Sequence, residues 1–203
     1  MEGSSQLHRR SIVFVLGPPG SGKGTLCKHA VSQLDMSGFG QSYHHLSVGD
    51  YLRELCAPEA QSETTGFNYS KIREHLRESK LLPSSVLIPV LEHKVSPSPN
   101  SDSASTVWLI DGFPRNIETA LAFEEKIGQP IKVIVLECTR DTAKHRFLSR
   151  GREKSDDEER FERRYDEYVE NMKEIRERYK GITETVNVAG TREECTAAFM
   201  AVF

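Results

Sequence analysis

The feature that most narrows what this chain can fold into is the stretch Gly17-Pro18-Pro19-Gly20-Ser21-Gly22-Lys23-Gly24-Thr25. It follows an apolar run, Ile12 to Leu16, that reads as a fully buried strand, and it precedes Leu26, Ala30, Val31 and Leu34, which share one face of a helix. Glycines let the backbone between strand and helix curl so that consecutive N–H groups point inward. The helix N-terminus adds its positive dipole end, and the Lys23 ammonium can reach a terminal phosphate. Pro19, Gly20, Ser21, Gly22, Lys23, Gly24 and Thr25 are therefore the candidate wall of a polyphosphate site. The common form of such a loop has Ser or Thr directly after its lysine, whereas here Gly24 intervenes before Thr25.

A chain of 203 residues with 37% apolar content can bury one α/β core with modest insertions. The expectation is a flexible tail over 1–10 and a single domain over 11–203. A formal net charge of −3 gives no support to wrapping nucleic acid. Cys27, Cys56, Cys138 and Cys195 are widely spaced with no C-x-x-C pair, which fits reduced intracellular thiols better than a disulfide framework. The first apolar run is too short for a signal sequence and no segment approaches a membrane span. The chain reads as a soluble, intracellular protein, cytoplasmic with the nucleus as the alternative.

Strands are expected at 11–16, 43–46, 106–110, 131–136 and 185–188. Helices are expected after the glycine loop, from Ser47 (a candidate cap), over 69–80, 84–95, 116–127, 142–150 and 191–203, and along a long segment with Phe161, Tyr165, Tyr168, Met172, Ile175 and Tyr179 on one face. Fewer than four heptads make that stripe core packing rather than a coiled coil. The run 96–105 (SPSPNSDSAS) reads as a mobile surface loop. Alternating strands and helices imply a parallel sheet with ligands at its carboxyl edge, where Lys23 and Asp111 both fall. The adjacent pair His44-His45 invites a metal reading. Strand neighbours face opposite ways, however, and no third ligand is near in sequence, so structural roles are expected.

Phosphoryl transfer needs positioned cations more than covalent chemistry. Lys23 is the first. Asp111, ending an apolar strand, suits a carboxylate that holds Mg²⁺ through water, with the Thr25 hydroxyl as direct ligand. Arg115 follows a proline-fixed turn on the same edge. Arg146, Arg150, Arg152, Lys154, Arg160, Arg163 and Arg164 flank a polar break between two helices, with acidic residues interleaved.

Taken in order, the glycine loop, His45-Leu46-Ser47-Val48-Gly49-Asp50-Tyr51-Leu52-Arg53, Leu109-Ile110-Asp111-Gly112-Phe113-Pro114-Arg115-Asn116, the stretch Arg146 to Gly151 and the pair Arg163-Arg164 resemble the adenylate kinase and UMP/CMP kinase family across nearly the whole chain. The resemblance implies a P-loop kinase fold: a five-stranded parallel sheet flanked by helices, with a helical NMP-binding insert at about 47–83 and a short lid at about 150–163. It implies reversible transfer of the ATP γ-phosphoryl group to a nucleoside monophosphate, with Mg²⁺ accompanying ATP, by a monomer with no nucleic-acid or membrane partner. It also implies residue roles. Arg53 and Arg115 would grip the acceptor monophosphate, with Ser47, Val48, Gly112 and Thr119 around it. Backbone at Lys80, Leu81 and Leu82 would approach the acceptor base. Arg150 and Arg164 would reach the transferring group with Arg146 beside them, and the Gly190 turn would pack near the ATP adenine.

Two departures stand out. The family's lid commonly ends in Gly-Arg before its aspartates, whereas here only Arg152-Glu153-Lys154 separate Gly151 from Ser155. Adenylate kinases often have Thr where Val48 stands and Gln where Thr119 stands. Many UMP/CMP kinases have Ala at the first position and Asn or Gln at the second. Val48 cannot hydrogen-bond a base and leans towards the pyrimidine type, while Thr119 fits neither pattern. Adenylate kinase is the alternative within the class. A GTPase switch lacks its Asn-Lys-x-Asp motif here, and a non-catalytic nucleotide-binding module is the reading that the short lid and Thr119 would favour.

Overall fold

Short β-branched and apolar runs bounded by turn residues pair into one all-parallel sheet: β1 Arg9–Leu16, β2 Ser42–Ser47, β3 Ser105–Asp111, β4 Lys132–Glu137 and β5 Thr183–Asn187, in the order β2-β3-β1-β4-β5. The helices are α1 Lys23–Met36, α2 Val48–Leu55, α3 Tyr69–Glu78, α4 Ser84–Val95, α5 Ile117–Lys126, α6 Arg140–Ser149, α7 Glu158–Tyr179 and α8 Arg192–Met200. The structure, a computed structural model, describes residues 9–36, 41–57, 66–96, 105–150 and 157–203. The expectations placed on residues 1–8, on the loop at 97–104 and on Arg152 and Lys154 lie outside the described residues.

Alternation along β1 builds a three-layer sandwich. Ile12, Phe14 and Leu16 face a layer filled by Val90 and Leu91 of α4, Phe123 of α5 and Met172 and Ile175 of α7. Val13 and Val15 face the other layer, filled by Leu26 and Ala30 of α1 and Phe199 of α8. Phe14 is fully buried, with Phe113 and Phe123 edge-on at 5.5 and 5.3 Å. A side chain of that size contributes about 1.5–3 kcal/mol by leaving water, so the centre of the sheet is fixed by its own sequence. No helix among the described residues is long and apolar enough to cross a membrane.

Element boundaries differ from the sequence expectation where a polar contact decides. Arg9 and Arg10 belong to β1 rather than to a flexible tail, because β3 extends far enough to pair with them. Arg10 also donates to the carbonyls of Val95 at 3.2 Å and Ile127 at 2.6 Å, at the ends of α4 and α5. Helix α3 stops at Glu78 because Ser79 turns left-handed (φ 53°) and Lys80 N–H closes on the His75 carbonyl. Ser47 stands at the N-cap of α2 but makes no capping hydrogen bond. Helix α6 begins at Arg140 because the Thr139 hydroxyl accepts from Thr142 N–H.

Register places the working edge. Val15 of β1 and Ser47 of β2 both lie opposite Asp111 of β3. The glycine loop after β1, the start of α2 and the turn after β3 therefore meet at one end of the sheet. Strand β1 sits between β3 and β4, so the chain leaves it at the reversal of strand order, where an open α/β sheet has its crevice.

Candidate active site

That crevice is a cavity of about 560 Å³, large enough for drug-sized or nucleotide ligands. At one end Gly17, Pro19, Gly20, Gly22, Lys23, Gly24 and Thr25 line it. Helix α1 starts at Lys23 with no acidic residue in its first turn, which leaves its N-terminal N–H groups available to an anion. Gly20 (φ +84°) lets the loop touch α6: a Cβ there would lie 2.0 Å from the Ala143 carbonyl oxygen. Of the loop residues expected to face the ligand, Ser21 does not line the cavity. Its side chain is buried, and its hydroxyl accepts from Lys23 at 3.3 Å.

The Lys23 ammonium also donates to the carbonyls of Gly17 at 2.8 Å and Pro18 at 3.0 Å. Burial lowers its pKa to about 8, opposed by the charge of Asp111 and reinforced by Arg164 and Arg115. Asp111 is buried beside the start of α1, its Oδ2 3.6 Å from where a Cβ on Gly24 would be. Thr25 is exposed on the same turn. An acidic and a hydroxyl oxygen at that junction suit a hard divalent cation carrying water. The same carboxylate is hydrogen-bonded to the His45 ring through Nε2.

Four arginines expected at the site line the cavity's flanks: Arg53, Arg115, Arg150 and Arg164. Arg53 is paired with Asp50 at 2.5 Å across one helical turn. Arg115 faces Glu167 of α7 at 3.2 Å, and burial lowers its pKa while Glu167 raises it. Arg150 and Arg164 lie over the ring of Phe147, at 4.1 and 5.7 Å from its centroid. Phe147 is in turn packed on Phe161, with centroids 5.5 Å apart, so α6 and α7 hold both arginines on one aromatic support.

Two expected residues line the cavity with their polar groups already engaged. Arg146 lines the cavity, yet its guanidinium donates to the carbonyls of Val188 at 2.5 Å and Gly190 at 2.8 Å. Gly190 itself is not part of the lining; it is tied to the site through Arg146. Thr119 is buried in the wall, but its hydroxyl donates within its own helix cap, 2.7 Å from Asn116 Oδ1, while Thr119 N–H donates to the same oxygen at 2.9 Å. The cap holds Thr119 in the cavity wall.

The far end of the cavity is apolar. Val48, Leu52, Leu82, Leu87, Met172 and Ile175 line it, joined by Ser47, Lys80, Leu81 and Gly112. His75 lines it too, and its Nδ1 donates to the Leu81 carbonyl at 2.8 Å. Arg160, Glu167 and Tyr168 complete the α7 wall. Sequence reasoning placed Tyr168, Met172 and Ile175 on a core stripe, which they are, and missed that the stripe's upper half borders the cavity. No signal marked His75 or Glu167.

Comparison with known proteins follows the same lines. The family described as adenylate kinase matches residues 15–184. UMP-CMP kinase 3 of Arabidopsis thaliana is 32% identical over 197 residues, covering 95% of this chain and 89% of that protein. UMP-CMP kinase 3 of Oryza sativa subsp. japonica is 36% identical over 172 residues, covering 83% and 73%. Adenylate kinase isoenzyme 1 of Homo sapiens is 30% identical over 192 residues, covering 92% and 90%.

Proposed function

The chain belongs to the adenylate kinase family of ATP-dependent nucleoside monophosphate kinases, and we propose that it transfers the ATP γ-phosphoryl group in line to a monophosphate bound in the same cavity. UMP and CMP are slightly favoured as acceptors, with AMP the alternative. The observation that carries this reading is that one cavity is walled at one end by the glycine loop and Lys23 and at its flanks by Arg53, Arg115, Arg150 and Arg164. A site with two clusters of anion-binding groups and a shared cationic middle suits two phosphorylated ligands meeting head to head.

The acceptor phosphate is already an anionic nucleophile, so no general base is required. Lys23 and the α1 N-terminus hold the donor's terminal phosphates, Arg53 and Arg115 orient the acceptor phosphate, and Arg150 and Arg164 neutralise the charge that spreads during transfer. Arg146 fixes the Gly190 turn, against which the adenine of ATP would pack. Thr25 and Asp111 would hold Mg²⁺, the latter through water; the ion supplies charge neutralisation of the donor phosphates. The insert at about 47–83 and the lid at about 150–163 are the parts that would close and exclude water. At the acceptor end Val48 offers no hydrogen bond and Thr119 is engaged with Asn116. Discrimination among bases there rests on shape and backbone groups. Four free cysteines support a reducing, cytoplasmic setting.

Purified protein incubated with ATP·Mg²⁺ and each of AMP, CMP, UMP, dCMP and GMP should form the corresponding diphosphate, fastest with CMP or UMP. No diphosphate above a Lys23→Ala control would overturn the assignment. Tight binding of a dinucleoside polyphosphate without turnover would indicate a non-catalytic module instead.

A further inference from the structure

His44 and His45 point to opposite faces of β2 and meet different partners. His44 turns outward and stacks on Trp108, with centroids 4.9 Å apart. His45 turns inward and meets ligands contributed by other elements. Cys27 lies on α1 and Asp111 at the end of β3, and donor atoms of Cys27, His45 and Asp111 all lie within 4.8 Å of one another. We propose that these three side chains form a soft-cation site, suited to Zn²⁺, at the back of the nucleotide cavity.

The donor set carries the assignment. One thiol sulfur, one imidazole nitrogen and one carboxylate oxygen are the ligand types of tetrahedral zinc, whose bonds of about 2.0–2.3 Å set its ligands about 3.3–3.7 Å apart. His45 and Asp111 are in direct contact in this structure, so a bound ion parts them and replaces their hydrogen bond with two metal bonds. Mg²⁺ prefers oxygen and water and gains nothing from sulfur, so the two ions divide this corner by softness. Zn²⁺ takes the thiolate of Cys27, whose proton leaves to solvent, and the imidazole, which in this structure donates through Nε2 to Asp111, shifts its single proton to Nδ1 so that Nε2 can ligate. Asp111 lines the cavity while Cys27 is fully buried, so entry is from the cavity side and the fourth position opens towards it. The charge of Lys23 acts on the same corner, and a bound cation would work against it. Because Asp111 is shared, a zinc ion there withdraws the carboxylate from the Mg²⁺ side and inhibits turnover in competition with ATP·Mg²⁺. That inhibition rests on the kinase reading, whereas the binding does not.

The test uses reduced, nucleotide-free protein titrated with Co²⁺ as an optical stand-in for Zn²⁺, followed by Zn²⁺ calorimetry in excess Mg²⁺. Wild type should develop a sulfur-to-cobalt charge-transfer band in the near ultraviolet. Cys27→Ala should abolish it, and Zn²⁺ affinity should fall by about tenfold or more in Cys27→Ala and in His45→Gln. Circular dichroism checks that each variant is folded, with Cys27→Ser as a second variant of similar volume. In turnover assays Cys27→Ala should keep its rate with ATP·Mg²⁺ and lose its sensitivity to Zn²⁺. A folded wild type with no such band, or a band that survives Cys27→Ala and so belongs to another thiol, overturns the site. Because the band is read without nucleotide, an inactive protein would still score it.

Discussion

At the scale of the residue, Lys23 shows what an anion site asks of its own protein. The ammonium is held by two loop carbonyls and one hydroxyl in a place that strips it of water, and its pKa falls to about 8. In the unfolded chain a lysine titrates near 10.4. The folded state therefore releases this proton first, and its stability should rise as pH climbs from about 8 to about 10.4. The rise is on the order of 1–3 kcal/mol before solvent screening. Urea unfolding of nucleotide-free wild type and Lys23→Met across that window should show the increment in the first and not in the second; parallel curves would contradict it. The places of Lys23 and Asp111 at the sheet's carboxyl edge were legible in the sequence because they follow from a local pattern. Thr119 and Arg146 were not. Each has partners chosen by packing: Thr119 by the Asn116 cap, Arg146 by carbonyls 42 and 44 residues away.

Elements place these residues, and one close fit between elements is where the glycine loop meets α6. Gly20 and Gly22 both have positive φ, +84° and +87°, but only Gly20 is crowded, by the Ala143 carbonyl and the Phe147 amide nitrogen. Gly22→Ala should carry only the left-handed penalty, about 1–2 kcal/mol. Gly20→Ala adds a backbone collision that neither partner can relieve and should cost well beyond that, about 4 kcal/mol or more. Chemical denaturation of the two variants checks the order; equal losses would mean that α6 yields freely. The helices and strands themselves were readable because burial repeats at periods of 3.6 and 2. Contacts between elements were not, since nothing in Gly20 announces a helix more than a hundred residues later. The same holds for Cys27, His45 and Asp111, three positions on three elements.

At the scale of the molecule, the sheet brings the glycine loop and the apolar far end to one crevice, so a single ligand spanning both should stabilise the chain as a unit. A dinucleoside polyphosphate present at about 100 times its dissociation constant should add about 2.7 kcal/mol. For a chain of this size that is a rise in melting temperature of about 5–10 °C. ADP at the same multiple of its own constant should match that gain, but the bridging compound should reach it at far lower concentration. Equal concentration requirements for the two would show that the ends do not form one site.

Strand β1 comes first in the chain and lies in the middle of the sheet, its neighbours β3 and β4 beginning only at Ser105 and Lys132. During synthesis it must wait for most of the polypeptide before either edge is covered, and its five buried apolar residues, Ile12 to Leu16, remain available to other chains meanwhile. The phosphate loop that it carries packs on β4, where a Cβ at Gly17 would meet Leu136 at 3.0 Å, and it lacks that support until β4 is made. Nucleotide can thus protect the finished protein but offers no shelter to the nascent one, whose hazardous interval is set by the distance between the first strand and the fourth.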